Sequence, residues 1–392
     1  MSQAVAHSQS ERRSWHDDSD YDVWLVGVSA VLLSIGLVMV ASASVPMADK
    51  NGYVELYFFW RQFAALLIGT GLGFVAFHMP LSVLDRGSTL LLFAGIGFLA
   101  LILIPGIGRE VNGSIRWIQL GPISVQASEP MKLAMIVYIS SYLVRHQAHV
   151  QTEFVGFIKP VGVLTVIAAL LLLEPDFGAA TVIFATGLGM LFLGRVPLVR
   201  FCSWGLVALA MLASLAVLAP YRMQRLMTFM DPWSDPYNTG FQLTQALIAF
   251  GRGEWFGVGL GNSIQKLFYL PEVHTDFVFA VLAEELGMVG TLCVIALFAF
   301  LVWRIFYIGA LAQQRGLDFA AYLSYGIGLI IGIEAFINIG VNMGLLPTKG
   351  LTLPLISYGS NSLVIVCIML ALVLRVARES RNGKRRGLSA NE

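Results

Sequence analysis

Long apolar runs, broken by short polar or Gly- and Pro-rich turns, fill the chain from Val23 to Val376. A helix needs about 20 apolar residues to cross some 30 Å of hydrocarbon. By that length the runs predict spans near 23 to 45, 62 to 78, 88 to 107, 131 to 144, 157 to 173, 178 to 194, 197 to 219, 277 to 309, 320 to 343 and 358 to 376. The expectation is an all-α polytopic membrane protein of about ten transmembrane helices, both ends of the chain on one side. Residues 21 to 380 form a single transmembrane domain, and the polar, aperiodic stretches 1 to 20 and 381 to 392 read as disordered. Two outer connections are long: 108 to 130, and a large extracytoplasmic loop, 220 to 275, between helices 7 and 8. Long loops commonly carry function. A continuous helix over 276 to 309 would measure about 51 Å, so the eighth must protrude, tilt or break near Gly287.

The first run ends near Ala41-Ser42-Ala43, which looks like a signal-peptidase site. Its leader, however, sets Glu11, Asp17, Asp18, Asp20 and Asp22 against Arg12 and Arg13, and the run exceeds the roughly 7 to 15 residues of a signal segment. A retained first span is expected.

Composition agrees with the pattern. The chain is 57% hydrophobic and 12% charged, with a mean hydropathy of +0.75, a balance suited to lipid. A net charge of +1 argues against a basic nucleic-acid-binding face. Cys202, Cys293 and Cys367 lie far apart in apolar runs and read as buried thiols.

The distribution of charge is more informative than its total. Arg12, Arg13, Arg86, Arg145, Lys159, Arg195, Arg200, Arg304, Arg315 and the basic tail from Arg375 to Arg386 share one side, which by the positive-inside bias is the cytoplasm. Lys50, Arg61, Arg109, Arg116, Lys132, Arg222, Arg225, Arg252, Lys266 and Lys349 fall outside or at outer helix ends. They run against the bias and need a reason.

Three segments hold the candidate chemistry. LPEVHTDFVFAVLAEELG (270 to 287) places Asp276, Glu284 and Glu285 at or inside the membrane, where carboxylates usually face a cavity or a partner. Asp276 reads equally as a helix-start residue favoured by the dipole. His274, Asp276 and Glu272 lack the spacing of a metal cage, although Asp276 could share a divalent ion with a phosphate. GSIRWIQLGPISVQASEPMK (113 to 132) carries Arg116 and an i,i+3 pair, Glu129 and Lys132, that reads either as an ion pair or as a phosphate contact. LLPTKGLTLPLISYGSNS (345 to 362) holds Lys349 and follows Glu334, Asn338 and Asn342, an i,i+4 stripe that must look inward and hydrogen-bond between helices. Arg252 and Lys266 stand among aromatic residues and tight glycine turns, a setting for an anionic head group. GVGLG at 257 to 261 follows no strand and reads as turn glycine rather than a dinucleotide loop.

In this order and at these positions the three segments resemble the SEDS family of bacterial membrane proteins, over residues 20 to 380. RWIQLG (116 to 121) and GFQLTQALIAFGRGE (240 to 254) add to the likeness, and LPTKGLTLPLISYG (346 to 359) is closer to the division branch than to the elongation branch. One departure is Ser360-Asn361, where many members carry Gly-Ser. The resemblance implies a peptidoglycan glycosyltransferase that polymerises lipid II at the outer leaflet of the bacterial inner membrane, at the division septum. It further implies Asp276 as the essential acidic residue, a general base in an inverting transfer with undecaprenyl diphosphate as leaving group. Lys132 and Lys349, with Arg252, Lys266 and Arg116, would meet the diphosphate and sugars. Glu129, Glu284, Glu285 and His274 would support or gate the site. A divalent cation, Mg or Mn, is an expected cofactor, with no organic one. Expected partners are the growing glycan strand, a class B penicillin-binding protein, other division membrane proteins and membrane lipids. Two other readings stand beside this one: a lipid II flippase, and a scaffold without chemistry.

Overall fold

The computed structural model describes residues 21–50, 52–111, 114–121, 123–197, 199, 201–206, 210, 227–238, 240–267, 270, 273–347 and 350–389. Three helices come first, α1 (Val23–Lys50), α2 (Tyr57–His78) and α3 (Leu81–Ile102). Strands β1 (Gly108–Val111), β2 (Ser114–Leu120) and β3 (Ile123–Gln126) follow. Next are α4 (Ser128–Arg145), the short α5 (Gln147–Thr152), α6 (Phe154–Leu173) and α7 (Phe177–Leu193). The chain then forms α8 (Phe241–Gly253), α9 (Val278–Gln314), α10 (Asp318–Asn342) and α11 (Ser360–Ser389). Among the described residues seven helices are long and apolar enough to cross a membrane: α1, α2, α3, α6, α9, α10 and α11. The expected span at 197 to 219 and the expected disorder of 1 to 20 lie largely outside the described residues.

Burial is inverted relative to a water-soluble bundle. Phe74, Leu90 and Phe93 are 67%, 76% and 65% exposed, whereas Ser140, Ser141 and Glu129 are buried. That distribution suits lipid outside and polar contacts within. Helix pairs close on small residues. Gly69 and Gly73 of α2 are spaced as G-x-x-x-G, and a Cβ on Gly69 would lie 3.1 Å from Val364 Cα of α11. Of the cysteines only Cys367 is buried. Cys202 and Cys293 are exposed, correcting the expectation of three buried thiols, because in lipid an apolar run need not turn inward.

The all-α expectation also needs correction. The 108–130 connection folds as a three-stranded antiparallel sheet in the order β1-β2-β3, with Trp117 opposite Gln126 and Arg109 opposite Trp117. Its β-branched residues are punctuated by Asn112-Gly113 and Gly121-Pro122, a hairpin pattern overshadowed by the long apolar runs on either side. The sheet is tied to the bundle by Asn361 Nδ2, which donates to Ser124 O at 2.9 Å, so the departure at Ser360-Asn361 joins β3 to the start of α11. At the other end α11 runs on to Ser389, helical where a disordered tail from 381 is expected. Arg and Lys are good helix formers, and no proline interrupts them.

The long α9 does break at Gly287, whose φ and ψ are 69° and −168°. The segment after α8 takes up the backbone groups around the break. Met288 N donates to Glu254 O at 2.9 Å and Val289 N to Trp255 O at 3.1 Å, while Val258 N and Gly259 N donate to Glu284 O and Glu285 O at 3.0 and 3.1 Å. This contact leaves no room for a side chain at Gly257, which has a φ of 78° and would place a Cβ 2.1 Å from Glu285 O. Gly257 is thus a packing and turn residue. Gly257→Ala is expected to cost about 1 to 3 kcal/mol, visible as a lowered melting temperature of the detergent-purified protein. An unchanged melting temperature would show that the contact is not maintained.

The two described ends of the chain meet. Asp22, which accepts from Leu25 N at 3.0 Å, pairs with Arg304 of α9 at 2.7 Å and with Arg381 of α11 at 3.8 Å. The start of α1 and the far ends of α9 and α11 therefore share one end of the bundle.

Candidate functional site

At the opposite end the three motif segments converge. Asp276 lies in the turn before α9. The helix is capped by Phe277, so Asp276 stands directly before its start. Its backbone carbonyl is clamped by two amides of α10, accepting from Asn338 Nδ2 at 3.0 Å and Asn342 Nδ2 at 2.9 Å. Asn342 Oδ1 in turn accepts from Ala280 N at 3.1 Å. The stripe on α10 thus hydrogen-bonds between segments and fixes Asp276. Asp276 is partly exposed, and its carboxylate lies over Gly350, where a Cβ would stand 3.0 Å from Oδ2.

The 350–359 segment is held from several sides. Asn338 Nδ2 donates to Leu351 O, Tyr358 N donates to His274 O at 2.8 Å, and Gln62 of α2 donates to Ser357 O at 3.1 Å while accepting from Gly359 N at 3.2 Å. On α1, Gly36 approaches so closely that a Cβ would lie 2.2 Å from Leu355 O. His274 is buried, its ring 4.9 Å from Phe58 and 5.5 Å from Tyr358, so it shapes the turn before Asp276.

One turn below Asn338, Glu334 meets Lys132. Lys132 Nζ contacts Glu129 Oε1 at 2.7 Å and also Glu334 Oε1, and all three side chains are buried. Lys132, expected to meet the diphosphate and sugars, joins α4 to α10 through these contacts. Lys266 is likewise held by a carboxylate. Its Nζ lies 3.0 Å from buried Glu285, and both contact Ser42 of α1. Glu284 collects the large loop, accepting from Ser263 Oγ and from Ile264 N and Gln265 N at 3.2 and 3.3 Å. Arg252 approaches it at 3.4 Å with 39% of its side chain exposed. Glu284 and Glu285 thus anchor the loop that leads to Asp276. Lys349 lies outside the described residues. Among the described residues no group of three His, Cys, Asp or Glu could hold a metal ion.

Arg116 projects from β2 to the 174–176 turn, donating to Pro175 O and lying 3.8 Å from Asp176. Asp176 caps α7 through Ala179 N at 3.1 Å. Gly178, in the first turn of α7, packs on Leu351, so the sheet and the Asp276 floor are braced together. This corner contains a residue that the motif reading passes over. Glu174 is 1% exposed, and neither carboxylate oxygen has a hydrogen-bond partner. Burial pushes its pKa up to about 8, reinforced by Asp176 and opposed by Arg116. The folded protein therefore holds this proton while an unfolded chain has released it, and stability falls as pH rises from the ordinary glutamate range to about 8, then levels. Glu174→Gln is expected to raise the melting temperature by a margin that widens with pH up to about 8. A margin independent of pH would refute the assignment.

The comparisons follow the same course. The family model FtsW/RodA/SpoVE, described as cell cycle protein, matches residues 23–382. A relative from Nitrosococcus halophilus named probable peptidoglycan glycosyltransferase FtsW is 56% identical over 92% of this chain and 93% of its own. One of the same name from Hahella chejuensis is 53% identical over 93% and 91%. Among solved structures, a chain described under structural coordination of polymerization and crosslinking by a peptidoglycan synthase complex is similar with a TM-score of 0.75 and 30% identity, covering 92% of this chain and 98% of that one. Thermus thermophilus rod shape determining protein RodA follows with a TM-score of 0.68 and 28% identity, covering 92% and 97%.

Proposed function

From the premise that the chain belongs to the FtsW/RodA/SpoVE family, the SEDS family of membrane proteins, we propose how it works as a peptidoglycan glycosyltransferase. The protein is a multi-pass membrane enzyme of cell-wall synthesis. The observation that carries the mechanism is the fixed backbone and accessible carboxylate of Asp276 at the end of the bundle opposite Asp22 and Arg381.

The substrate is lipid II and the reaction lengthens a glycan strand. Asp276 takes the proton from the acceptor sugar hydroxyl as that oxygen attacks the anomeric carbon of the growing chain. The C–O bond to undecaprenyl diphosphate breaks, and the configuration inverts. The clamp from Asn338 and Asn342 holds the base in position, and Gly350 gives the carboxylate room. Negative charge develops on the departing diphosphate. Arg252, the most exposed of the described candidate cations, and Lys349 are the groups assigned to meet it. Asp276 would be the residue that holds a divalent ion, Mg or Mn, which would supply the same charge stabilisation.

The ends of α7 and α9 support a tenth span. Arg195, just after α7, lines one cavity with Gln313 near the far end of α9, whereas α9 starts beside Asn342. A tenth span over 197 to 219, the apolar stretch between them, would carry the chain from one end to the other. The basic tail supports a cytoplasmic position for Asp22 and Arg381, with Asp276 outside. A class B penicillin-binding protein, crosslinking what this enzyme polymerises at the division septum, is the proposed partner, alongside other division proteins.

The test uses purified protein with that partner and lipid II in detergent, with the transpeptidase inhibited. Glycan polymer is expected, because polymerisation needs no bilayer to cross. A preparation that translocates lipid II in vesicles yet makes no polymer would establish the flippase instead.

A further inference from the structure

At the end of the bundle opposite Asp276 lies a cavity of about 400 Å³ between the end of α7, the last turns of α9 and α10. Its lining is graded. Gln313 and Arg195 stand near the cytoplasmic end, while Ala310, Tyr307, Phe306 and Trp303 continue it along α9. Trp303 and Gln313 are separated by about 15 Å of helix, the depth of half a hydrocarbon core. Trp303 and Tyr307 are 54% and 48% exposed, so the slot opens sideways to lipid rather than into the protein. Arg195 is exposed with a φ of 63°, and among the described residues no carboxylate comes within ion-pairing distance of it. Arg304, by contrast, is paired to Asp22 while its guanidinium lies 4.9 Å from the Tyr307 ring.

A cation at head-group level above an aromatic, laterally open slot of one leaflet's depth matches one class of ligand. We propose that the slot binds a single anionic glycerophospholipid of the cytoplasmic leaflet. Its phosphate would lie against Arg195, its ester region against Gln313, and one acyl chain along Phe306 and Trp303. The Arg195 guanidinium supplies charge-assisted hydrogen bonds to the phosphate, and the aromatic residues give the flat, amphipathic contacts favoured at the membrane interface. The leaflet follows from the sidedness proposed above; the ligand class follows from the lining alone. The substrate reaction lies at the opposite end, so this site is separate from the polymerase centre.

Full-length protein is reconstituted in nanodiscs containing equal amounts of phosphatidylglycerol and phosphatidylcholine, then released for native mass spectrometry. The wild type is expected to retain one phosphatidylglycerol in preference to phosphatidylcholine. Arg195→Ala should reduce that retention about tenfold, the loss of one charge-assisted contact. Ala310→Trp, which fills the slot and leaves Arg195 in place, should reduce it by a similar factor, keeping the test valid if Arg195→Ala does not fold. Equal retention of the two lipids by the wild type, or undiminished retention by both variants, would overturn the proposal. So would a photoreactive residue at position 303 that crosslinks to protein, including residues 207 to 226 of this chain, rather than to lipid. Binding is read without lipid II, so failure of this site and failure of the polymerase assignment are distinguishable.

Discussion

Asp276→Asn is expected to abolish glycan polymerisation, lowering the initial rate on lipid II by about 10² to 10⁴, while leaving the melting temperature nearly unchanged. The reasoning separates what the main chain does from what the side chain does. Asn338 and Asn342 hold the backbone carbonyl of residue 276, a bond that Asn at this position keeps. The carboxylate is the proposed proton acceptor, and an amide of the same size cannot replace it. Asp276→Glu places the carboxylate one methylene further out, beside a Gly350 that already approaches within a Cβ distance of 3.0 Å, and should retain a fraction of the rate. The measurement is single-turnover polymer formation with crosslinking inhibited. Polymer made by Asp276→Asn at the wild-type rate would remove the general base from the mechanism. Removing the clamp tests the positioning separately: Asn342→Ala should lower turnover while keeping the carboxylate.

The sequence pattern shows this arrangement in part. The spans are legible because lipid demands a minimum apolar length, and the break at Gly287 because a helix from Asp276 to Gly309 exceeds that length. The stripe Glu334, Asn338, Asn342 is readable as inward-facing from its spacing, since lipid could not satisfy it. The partners are not readable. Lys132 has Glu129 three residues away, which the chain displays, and Glu334 of α10, which it does not. Outer cations that defy the positive-inside bias invite a single explanation, phosphate binding. The structure gives Lys132, Lys266 and Arg116 acidic partners drawn from distant segments. Spacing along one helix carries no information about the helix that will face it. The sheet is a different case, for its hairpin signals are present between residues 112 and 122. They are short beside the apolar runs on either side. Glu174 escaped for a similar reason: a Glu-Pro-Asp turn reads as a solvated connection, and only burial reveals it as a carboxyl without partners.

The most severe loss of stability is expected for Lys132→Met. This substitution preserves length and volume but leaves Glu129 and Glu334 facing each other in the bundle without a cation. Breaking a buried charge network by removing one member costs about 3 to 5 kcal/mol, more than replacing the network as a whole. Lys132→Met should therefore fall out of the membrane fraction or melt well below the wild type. Glu334→Gln should be milder, because Lys132 keeps Glu129 at 2.7 Å. The double substitution Lys132→Met with Glu334→Gln removes one of the two stranded charges and should regain part of the lost stability. It also separates the two roles of Lys132. If the lysine is a strut between α4 and α10, the stabilised double variant recovers polymerisation along with its fold. If instead its ammonium contacts the departing diphosphate in the working enzyme, the double variant folds and remains slow. The clamp on Asp276 stands one helical turn above Glu334, on the same face of α10. Slack introduced at the triad should consequently appear first as lost turnover, at temperatures where the bundle is still folded.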